Sequence, residues 1–194
     1  MARKNTRNTR GRIISAAWKL FYEQGYENTT VEDILALSGA SKGSFYHYFE
    51  GKDALLGTLS VLFDEKYAEL MPTIPEDADA LDTLAWLNRE LFAMIDASIP
   101  LDLLARLLST QLTVRGEKHL LDRDRLYFRL LRETVSRGQA RGEIRSDLPV
   151  SEITRQYALM ERALMYDWCL CGGVYNLSRY GAELMETFLR SFRK

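Results

Sequence analysis

The sequence predicts an all-α protein in which a small N-terminal helical domain precedes a larger helical one. Apolar residues recur at intervals of three and four along most of the chain, which is the period of an amphipathic helix. No segment shows the sustained alternation of a strand, and glycine or proline residues separate the helical stretches. The 194 residues, 46% of them hydrophobic, suffice for two domains with apolar cores.

The helical pattern divides into about nine segments. The first is expected at residues 9–24, with Ile13, Ala17 and Phe21 on its inner face and Gly25 as its stop. Prolines mark later boundaries, at Pro72, Pro75, Pro100 and Pro149. The other expected segments are two short helices within residues 29–52, and longer ones at 52–70, 78–97, 101–114, 118–141, 151–170 and 177–192.

The two short helices within residues 29–52 are expected to be joined by a tight turn. Thr29 is predicted to cap the first of them, because Glu32 three residues later completes a capping box. Gly39 can adopt the positive φ that a sharp turn requires, and Ser41 is predicted to cap the second helix. The inner stripe of that second helix is expected to consist of Phe45, Tyr48 and Phe49.

The outward face of the second short helix carries hydrogen-bond donors and flat rings but no acidic side chain. In a helix-turn-helix, the first residues of the second helix enter the major groove and contact base edges. Open N–H groups at both helix starts also favour a phosphate oxygen. The DNA contacts predicted here are Thr29, Thr30, Ser41, Lys42, Gly43, Ser44, Tyr46 and His47. A solvent-exposed helix hairpin without a ligand is the alternative interpretation.

The N-terminus is basic, whereas the rest of the chain is acidic. Residues 1–19 contain six basic residues and no acidic one, and the remainder contains 20 basic against 27 acidic residues. A basic arm that leads into a helix suits contact with phosphates, which supplies affinity but no sequence choice. Arg7, Arg10 and Arg12 are therefore expected to contribute to affinity. A solubilising tail is the alternative.

Residues 7–53 closely resemble the N-terminal domain of TetR-family transcriptional regulators. The matching stretches are FYEQGY at 21–26, Thr29-Thr30-Val31 with Ile34, GASKGSFYHYF at 39–49, and Gly51-Lys52-Asp53 with Leu55-Leu56. The resemblance implies a three-helix DNA-binding domain at residues 1–52 and a helical ligand-binding and dimerisation domain at residues 53–194. It also implies a phosphate contact for Lys52, at the start of the fourth helix.

The same resemblance implies a homodimer on a palindromic double-stranded operator, and a small-molecule effector that releases a repressor from it. Candidate dimer-interface residues are Leu159, Ala163, Tyr166, Leu184, Phe188 and Leu189. Candidate pocket residues are Trp86, Met94, Tyr127, Phe128, Met160, Met165, Trp168 and Tyr175. Members of either set can equally belong to the core of a single chain. An activator, or a family member controlled by a protein partner, is the alternative function.

Other classes of function find little support in the sequence. The two histidines, His47 and His119, lack the spacing of a metal or nucleophile site, and no GxSxG, phosphate loop or HExxH is present. Cys169 and Cys171 are too few for a zinc site and are expected to be a buried, reduced pair. We therefore expect no enzyme activity, no cofactor and no metal. A helical adaptor for another protein is the remaining alternative.

The sequence also bears on location. No segment approaches 18 consecutive apolar residues, and the N-terminus lacks the apolar run of a signal peptide. We therefore expect a cytoplasmic protein that does not contact a membrane.

Overall fold

A computed structural model describes residues 2–113 and 118–194, with side chains from residue 9 onward. The described residues contain no β-strand beyond one isolated bridge between Ile144 and Arg193, so the all-α prediction is confirmed. The α-helices are α1 (Ala2–Gln24), α2 (Val31–Ser38), α3 (Lys42–Tyr48), α4 (Lys52–Leu56), α5 (Leu59–Leu70), α6 (Ala80–Ser98), α7 (Leu101–Thr113), α8 (Leu126–Arg141), α9 (Val150–Leu170) and α10 (Ala182–Leu189). Short 3-10 turns at Met71–Thr73, His119–Leu121 and Arg190–Phe192 and a π-helical turn at Leu177–Gly181 complete the helical content.

The chain forms two compact units, which are described separately. The first contains the residues up to Val61 together with α7 from Asp102 onward. The second contains Leu62–Leu101 and the residues from Lys118 to the C-terminus. The domain boundary that the sequence predicts after residue 52 falls inside the first unit and stays a prediction.

The core of the first unit forms where α1 packs against α2 and α3. Ile13, Ala17 and Phe21 of α1 are buried, as the helical period predicts. They share this core with Ile34 of α2 and Phe45 of α3, both of which are fully buried. Short helices such as α2 and α3 are marginal on their own, so this apolar packing is what holds them in place.

The single helix predicted at residues 52–70 is wrong, because the helix is interrupted between Leu56 and Leu59. Gly57 is a poor helix former, and the hydroxyl of Thr58 donates to the Leu55 carbonyl at 2.6 Å. The Trp18 indole N–H of α1 in turn donates to the Thr58 hydroxyl at 2.8 Å. This bond to a distant tryptophan stabilises the interruption.

The helix predicted from residue 118 begins only at Leu126. The Asp124 amide donates to the Asp122 carboxylate at 2.9 Å, a local bond that competes with helix formation. Asp64 of α5 then supplies the acceptor at the true start. Its carboxylate accepts from the Tyr127 amide at 3.3 Å and from the Arg125 guanidinium at 2.9 and 3.1 Å.

The second unit is built on α6, which packs against α8, α10 and the π-helical turn. Gly138 of α8 allows the closest of these approaches, since a Cβ there would lie 2.5 Å from the Ala80 Cβ. The buried face of α6 includes Leu84, Leu87 and Phe92. In the part of the chain that the structure describes, no helix is both long enough and apolar enough to cross a bilayer.

Candidate nucleic-acid interface

Thr30, and not the predicted Thr29, caps the start of α2. The Thr30 hydroxyl accepts from the Asp33 amide at 3.1 Å, and the Asp33 carboxylate accepts from the Thr30 amide at 2.9 Å. The Thr30 hydroxyl also donates to the Asp33 carboxylate at 2.7 Å, and this bond, together with the one from the Thr30 amide, lowers the pKa of the Asp33 carboxyl. The predicted box of Thr29 with Glu32 was wrong by one residue, because aspartate can take the place of glutamate and the motif therefore fits two registers.

Thr29 contributes to the interior of the first unit. Its side chain is 1% exposed, and its hydroxyl donates to the Gly25 carbonyl at 2.8 Å. It also accepts from the Gln24 side-chain amide at 3.3 Å. The predicted DNA contact by the Thr29 side chain is therefore wrong, whereas Thr30 is exposed.

The turn into α3 has the predicted geometry. Gly39 has a φ of 64°, in the left-handed region that favours glycine. Ser41 caps α3, and its hydroxyl accepts from the Ser44 amide at 3.1 Å. The Ser41 and Ser44 hydroxyls also lie 2.9 Å apart. The turn is therefore fixed by local hydrogen bonds, which orients α3 on the core.

The outward face of α3 is formed by exposed side chains over a buried aromatic layer. Lys42, Gly43, Tyr46 and His47 are exposed, whereas Phe45 beneath them is fully buried. The Tyr46 ring packs edge-on against Phe45 with 5.3 Å between ring centroids, and 49% of Tyr46 remains exposed. A Cβ on Gly43 would meet no atom within 4 Å. Packing within the chain therefore does not require glycine at this position, and the bare backbone is open to close approach.

Lys42 places a positive charge on this face, and that charge is only weakly neutralised. The Lys42 ammonium lies 4.0 Å from the Glu32 carboxylate, and both side chains are about 70% exposed. Solvent screens such a pair, so the ammonium is available to another partner.

Two arginines of α1 adjoin α3 and its preceding turn. The Arg10 guanidinium lies 5.7 Å from the centroid of the Phe49 ring. Arg12 lies 3.6 Å from the position that a Cβ on Gly39 would occupy. The side chain of Arg7, the third predicted arm contact, lies outside the described residues.

Lys52, predicted to contact phosphate, holds the loop between α1 and α2. Its ammonium donates to the Tyr26 carbonyl at 2.7 Å and to the Thr29 carbonyl at 2.9 Å. It also lies 4.1 Å from the centroid of the Tyr26 ring. Burial lowers the pKa of Lys52. Two of the three ammonium donors thus stabilise this unit, and the phosphate contact stays a prediction.

Sequence reasoning missed the cluster around Tyr26. This residue is buried, and its hydroxyl donates to the Asp53 carboxylate. Burial, reinforced by that carboxylate, raises the pKa of the Tyr26 phenol. Arg106 of α7 lies 5.6 Å from the centroid of the Tyr26 ring and forms an ion pair with Glu27. No spacing in the sequence indicates this contact, because α7 is far from Tyr26 along the chain.

Four of the eight predicted pocket residues of the second unit line cavities, and these four are divided among three separate ones. Tyr127 and Met165 line a cavity of about 20 Å³, room for about one water molecule. Phe128 lines a second cavity of about 280 Å³, and Trp86 lines a third of about 360 Å³. The structure therefore does not bring the predicted set together. None of these three cavities is lined by the remaining candidates, which are Met94, Met160, Trp168 and Tyr175.

The smallest cavity is lined by a buried acid that sequence reasoning did not single out. Glu161 of α9 is 3% exposed, and burial raises the pKa of its carboxyl. The carboxyl accepts from the Asn88 side-chain amide at 3.0 Å and from the Tyr67 hydroxyl at 3.4 Å. A carboxyl in this setting costs desolvation when charged, and its hydrogen bonds offset part of that cost.

Most of the predicted dimer-interface residues lie at the surface of the second unit. On α9, Leu159 is 55% exposed and Tyr166 is 42% exposed, and Ala163 between them is also exposed. Leu184 of α10 is exposed and Phe188 is half-buried. Leu189 is 2% exposed, so its assignment to an interface is wrong. It lies on the inner face of α10, where it belongs to the core of its own chain.

The expected pair of buried cysteines is only partly correct. Cys169 is half-buried, which raises the pKa of its thiol to about 11, whereas Cys171 is exposed. Among the described residues, no three His, Cys, Asp or Glu side chains lie close enough to hold a metal ion.

Comparison with known proteins relates the N-terminal part to one family. Residues 13–59 match the model of bacterial regulatory proteins of the tetR family. The uncharacterized HTH-type transcriptional regulator in the lacX 3′ region of Lactococcus lactis subsp. lactis is 44% identical over 48 residues, covering 25% of this chain and 24% of that protein. HbdR, an HTH-type transcriptional regulator of Aromatoleum sp. (strain CIB), is 29% identical over 189 residues, covering 93% of this chain and 80% of HbdR.

The likeness to other curated relatives is confined to part of their length. The chain spans between 21% and 44% of the relatives from Lactococcus, Pseudomonas, Bacillus, Mycobacterium and Rhodococcus that it matches. Among solved structures, FadR of Thermus thermophilus, a TetR-family transcriptional repressor in complex with lauroyl-CoA, is similar with a TM-score of 0.71. It is 24% identical, and the match covers 93% of this chain and 91% of that one. At this identity the likeness shows the fold.

Proposed function

We propose that the chain, whose residues 13–59 match the tetR family of bacterial regulatory proteins, belongs to that family and is a sequence-specific DNA-binding transcriptional regulator and not an enzyme. The observation that supports this most is the outward face of α3. Lys42, Gly43, Tyr46 and His47 are exposed there, on a helix that the buried Phe45 anchors to a folded core. A helix presented in this way can enter the major groove.

Within this proposal, the residues divide by what they contact. Lys42 and Ser44, at the start of α3, contact base edges, with Lys42 suited to the O6 and N7 acceptors of guanine. Tyr46 and His47 contact the bases or the adjoining backbone. The capped start of α2 at Thr30 and the arginines of α1 bind phosphates, which position the helix without choosing a sequence. A chromosomal target also implies the cytoplasmic location that the sequence predicts.

Selection of bound duplexes from a random pool tests the proposal directly. The full chain should enrich a motif from the pool and bind it in a gel shift. Enrichment of no motif, with the protein folded, would contradict sequence-specific binding. A protein that binds all duplexes equally would retain the phosphate contacts but lack the proposed base contacts.

We further propose that the protein acts as a homodimer on a palindromic operator. One recognition helix contacts only a few base pairs, whereas two helices about 34 Å apart select a much longer site. The exposed apolar side chains of α9 and α10 support this. Leu159, Ala163 and Tyr166 recur on α9 at intervals of four and three, so they form one stripe. Exposed apolar stripes of this kind mark interaction surfaces.

A charge in the stripe should dissociate the dimer. We expect Leu159→Glu to convert the protein to monomers at micromolar concentration, because a carboxylate would be desolvated at the interface. The matched control is Leu112→Glu on α7, since Leu112 is also exposed, at 68%, but lies outside the stripe. Sedimentation equilibrium measures the oligomeric state of both variants. A dimer that survives Leu159→Glu would show that α9 does not form the interface.

A small-molecule effector is the proposed signal, and repression the proposed mode of action. Thermus thermophilus FadR, whose fold is similar, is a repressor described with lauroyl-CoA, which supports a ligand-binding role for the second unit. An effector can lower operator affinity only by the factor by which it binds more tightly to the form of the dimer that binds DNA poorly. Both α5 and α7 contribute residues to both units, and we propose that α5, which follows the DNA-binding helices along the chain, transmits such a preference. Activation, or control by a protein partner, is the alternative mode.

The arginines of α1 should control affinity but not sequence preference. We expect Arg10→Gln with Arg12→Gln to reduce the slope of log K against log salt by about 1 for each phosphate that the protein no longer neutralises. The motif selected from a random pool should remain unchanged. Affinity measured across a range of potassium chloride concentrations gives the slope. An unchanged slope would exclude these side chains from phosphate binding, whereas an altered motif would indicate that they contact bases.

A further inference from the structure

The second unit contains a cavity whose wall is unusually rich in arginine. It has a volume of about 280 Å³, and Arg123, Arg132, Arg155 and Arg162 line it. None of the described side chains that line it is acidic. We propose that this cavity binds a small molecule that carries a phosphate or carboxylate group on an apolar body.

The four arginines come from separate parts of the chain and converge on one cavity. Arg123 lies in the loop before α8, and Arg132 lies on α8. Arg155 and Arg162 lie seven residues apart on α9, so they project from the same face two turns apart. Surface arginines usually point away from one another into solvent. Convergence of four on one concave surface concentrates positive potential there, which attracts an anion.

The charge of this cluster is poorly compensated within the described structure. Arg155 has an acidic neighbour in Glu152, but the two lie 3.5 Å apart and the Arg155 side chain is 68% exposed. Arg132 donates to the Arg123 backbone carbonyl at 3.2 Å, which fixes a guanidinium without neutralising it. Guanidinium groups bind phosphate and carboxylate through paired N–H donors, so their geometry matches the proposed head group.

Besides the arginines and the hydroxyl-bearing Ser151 and Thr154, the cavity wall contains three apolar residues, which indicate the second half of the ligand. Phe128 of α8 and Ala158 of α9 are buried beneath the arginines, and Leu121 lies at the exposed edge. Inorganic phosphate would leave this apolar surface in contact with water. A volume near 280 Å³ is at the lower end of the range of small-molecule sites, which suits a compact amphiphilic anion.

Binding of the anion does not depend on the proposed function, whereas a role for it as the effector does. Arg162 also lines the small cavity around Glu161, where burial raises the pKa of the carboxyl and the charge of Arg162 offsets part of that rise. An anion that neutralises Arg162 would therefore change the electrostatic environment of the buried Glu161 carboxyl, which is hydrogen-bonded to Asn88 and Tyr67. This gives a bound anion a physical route to the interior of the second unit.

Isothermal titration calorimetry on the full chain tests the binding, with octyl phosphate as the probe. We expect octyl phosphate to bind at least about tenfold more tightly than octanol or inorganic phosphate, since each of these lacks one half of the recognised structure. The variant Arg123→Gln with Arg155→Gln should weaken binding by about tenfold or more, since hydrogen bonds to charged groups are the strong ones. The matched control is Arg129→Gln with Arg179→Gln, which removes two exposed arginines that do not line the cavity.

Equal weakening by the two double variants would overturn the site, because it would show a response to net charge alone. Binding of octanol as tight as that of octyl phosphate would overturn the anionic half of the proposal. If a double variant is unfolded by circular dichroism, the single variant Arg123→Gln against Arg129→Gln makes the same comparison. If octyl phosphate binds as expected but leaves operator affinity unchanged, the cavity is supported and the effector role is overturned. A chain that binds octyl phosphate but no DNA would support the cavity and contradict the proposed function.

Discussion

Replacing Lys42 and Tyr46 together by alanine should reduce operator affinity by roughly 100-fold or more and leave the dimer folded. Each base or phosphate contact contributes about 1–3 kcal/mol, and both side chains are removed from each of two subunits. Stability should hardly change, because the glutamate that pairs with Lys42 at 4.0 Å is exposed and 49% of Tyr46 is exposed. Gel shift on the selected duplex measures affinity, and thermal unfolding measures the fold.

The matched control is Lys19→Ala with Tyr22→Ala on α1. Lys19 is also an exposed lysine that pairs with a glutamate, Glu23, at 3.8 Å. Tyr22 is also an exposed tyrosine, at 46%. The control therefore removes the same charge and a similar exposed ring from a different helix of the same unit. Equal loss of DNA binding in both double variants would show that α3 has no special part in recognition.

Replacing Asp64 by alanine should lower the free energy of unfolding by about 3 kcal/mol, because it removes the carboxylate from a largely buried ion pair. Only 9% of the Arg125 side chain is exposed, and the Asp64 carboxylate accepts two of its N–H groups. The same carboxylate accepts from the Tyr127 amide at the start of α8. For a chain of this size the melting temperature should fall by roughly 10 °C.

The control for this prediction is Asp147→Ala, which breaks an ion pair with Arg145 at the surface. Both of its partners are well exposed, so we expect no measurable change in melting temperature. Differential scanning calorimetry at neutral pH measures both variants. Equal melting temperatures for the two would show that Asp64 does not organise the start of α8.

Local chemistry explains why the DNA-binding segment could be predicted so closely from the sequence. The positive φ of Gly39 and the cap at Ser41 depend on residues within one turn of each other. The buried position of Phe45 follows from helical periodicity alone. The error at Thr29 had a local cause too, since two overlapping capping boxes competed and the sequence did not distinguish between them.

The features that sequence reasoning missed depend on contacts between distant residues. The interruption after Leu56 is stabilised by a hydrogen bond from Trp18, and the late start of α8 depends on Asp64. Lys52 matches a phosphate-contact pattern, but its burial against Tyr26 appears only in three dimensions. Periodicity likewise marks apolar side chains without distinguishing core from cavity wall, so four of the predicted pocket residues are divided among three cavities and the other four line none of these.

The most direct test of the central claim is methylation interference on the selected duplex. If α3 enters the major groove twice per dimer, methyl groups on guanine N7 should block binding in two half-sites whose centres lie about 10 base pairs, or a multiple of that, apart. The interference should disappear in the residual complexes of the Lys42→Ala and Tyr46→Ala double variant. A single half-site, or interference only from methylation in the minor groove, would contradict the account.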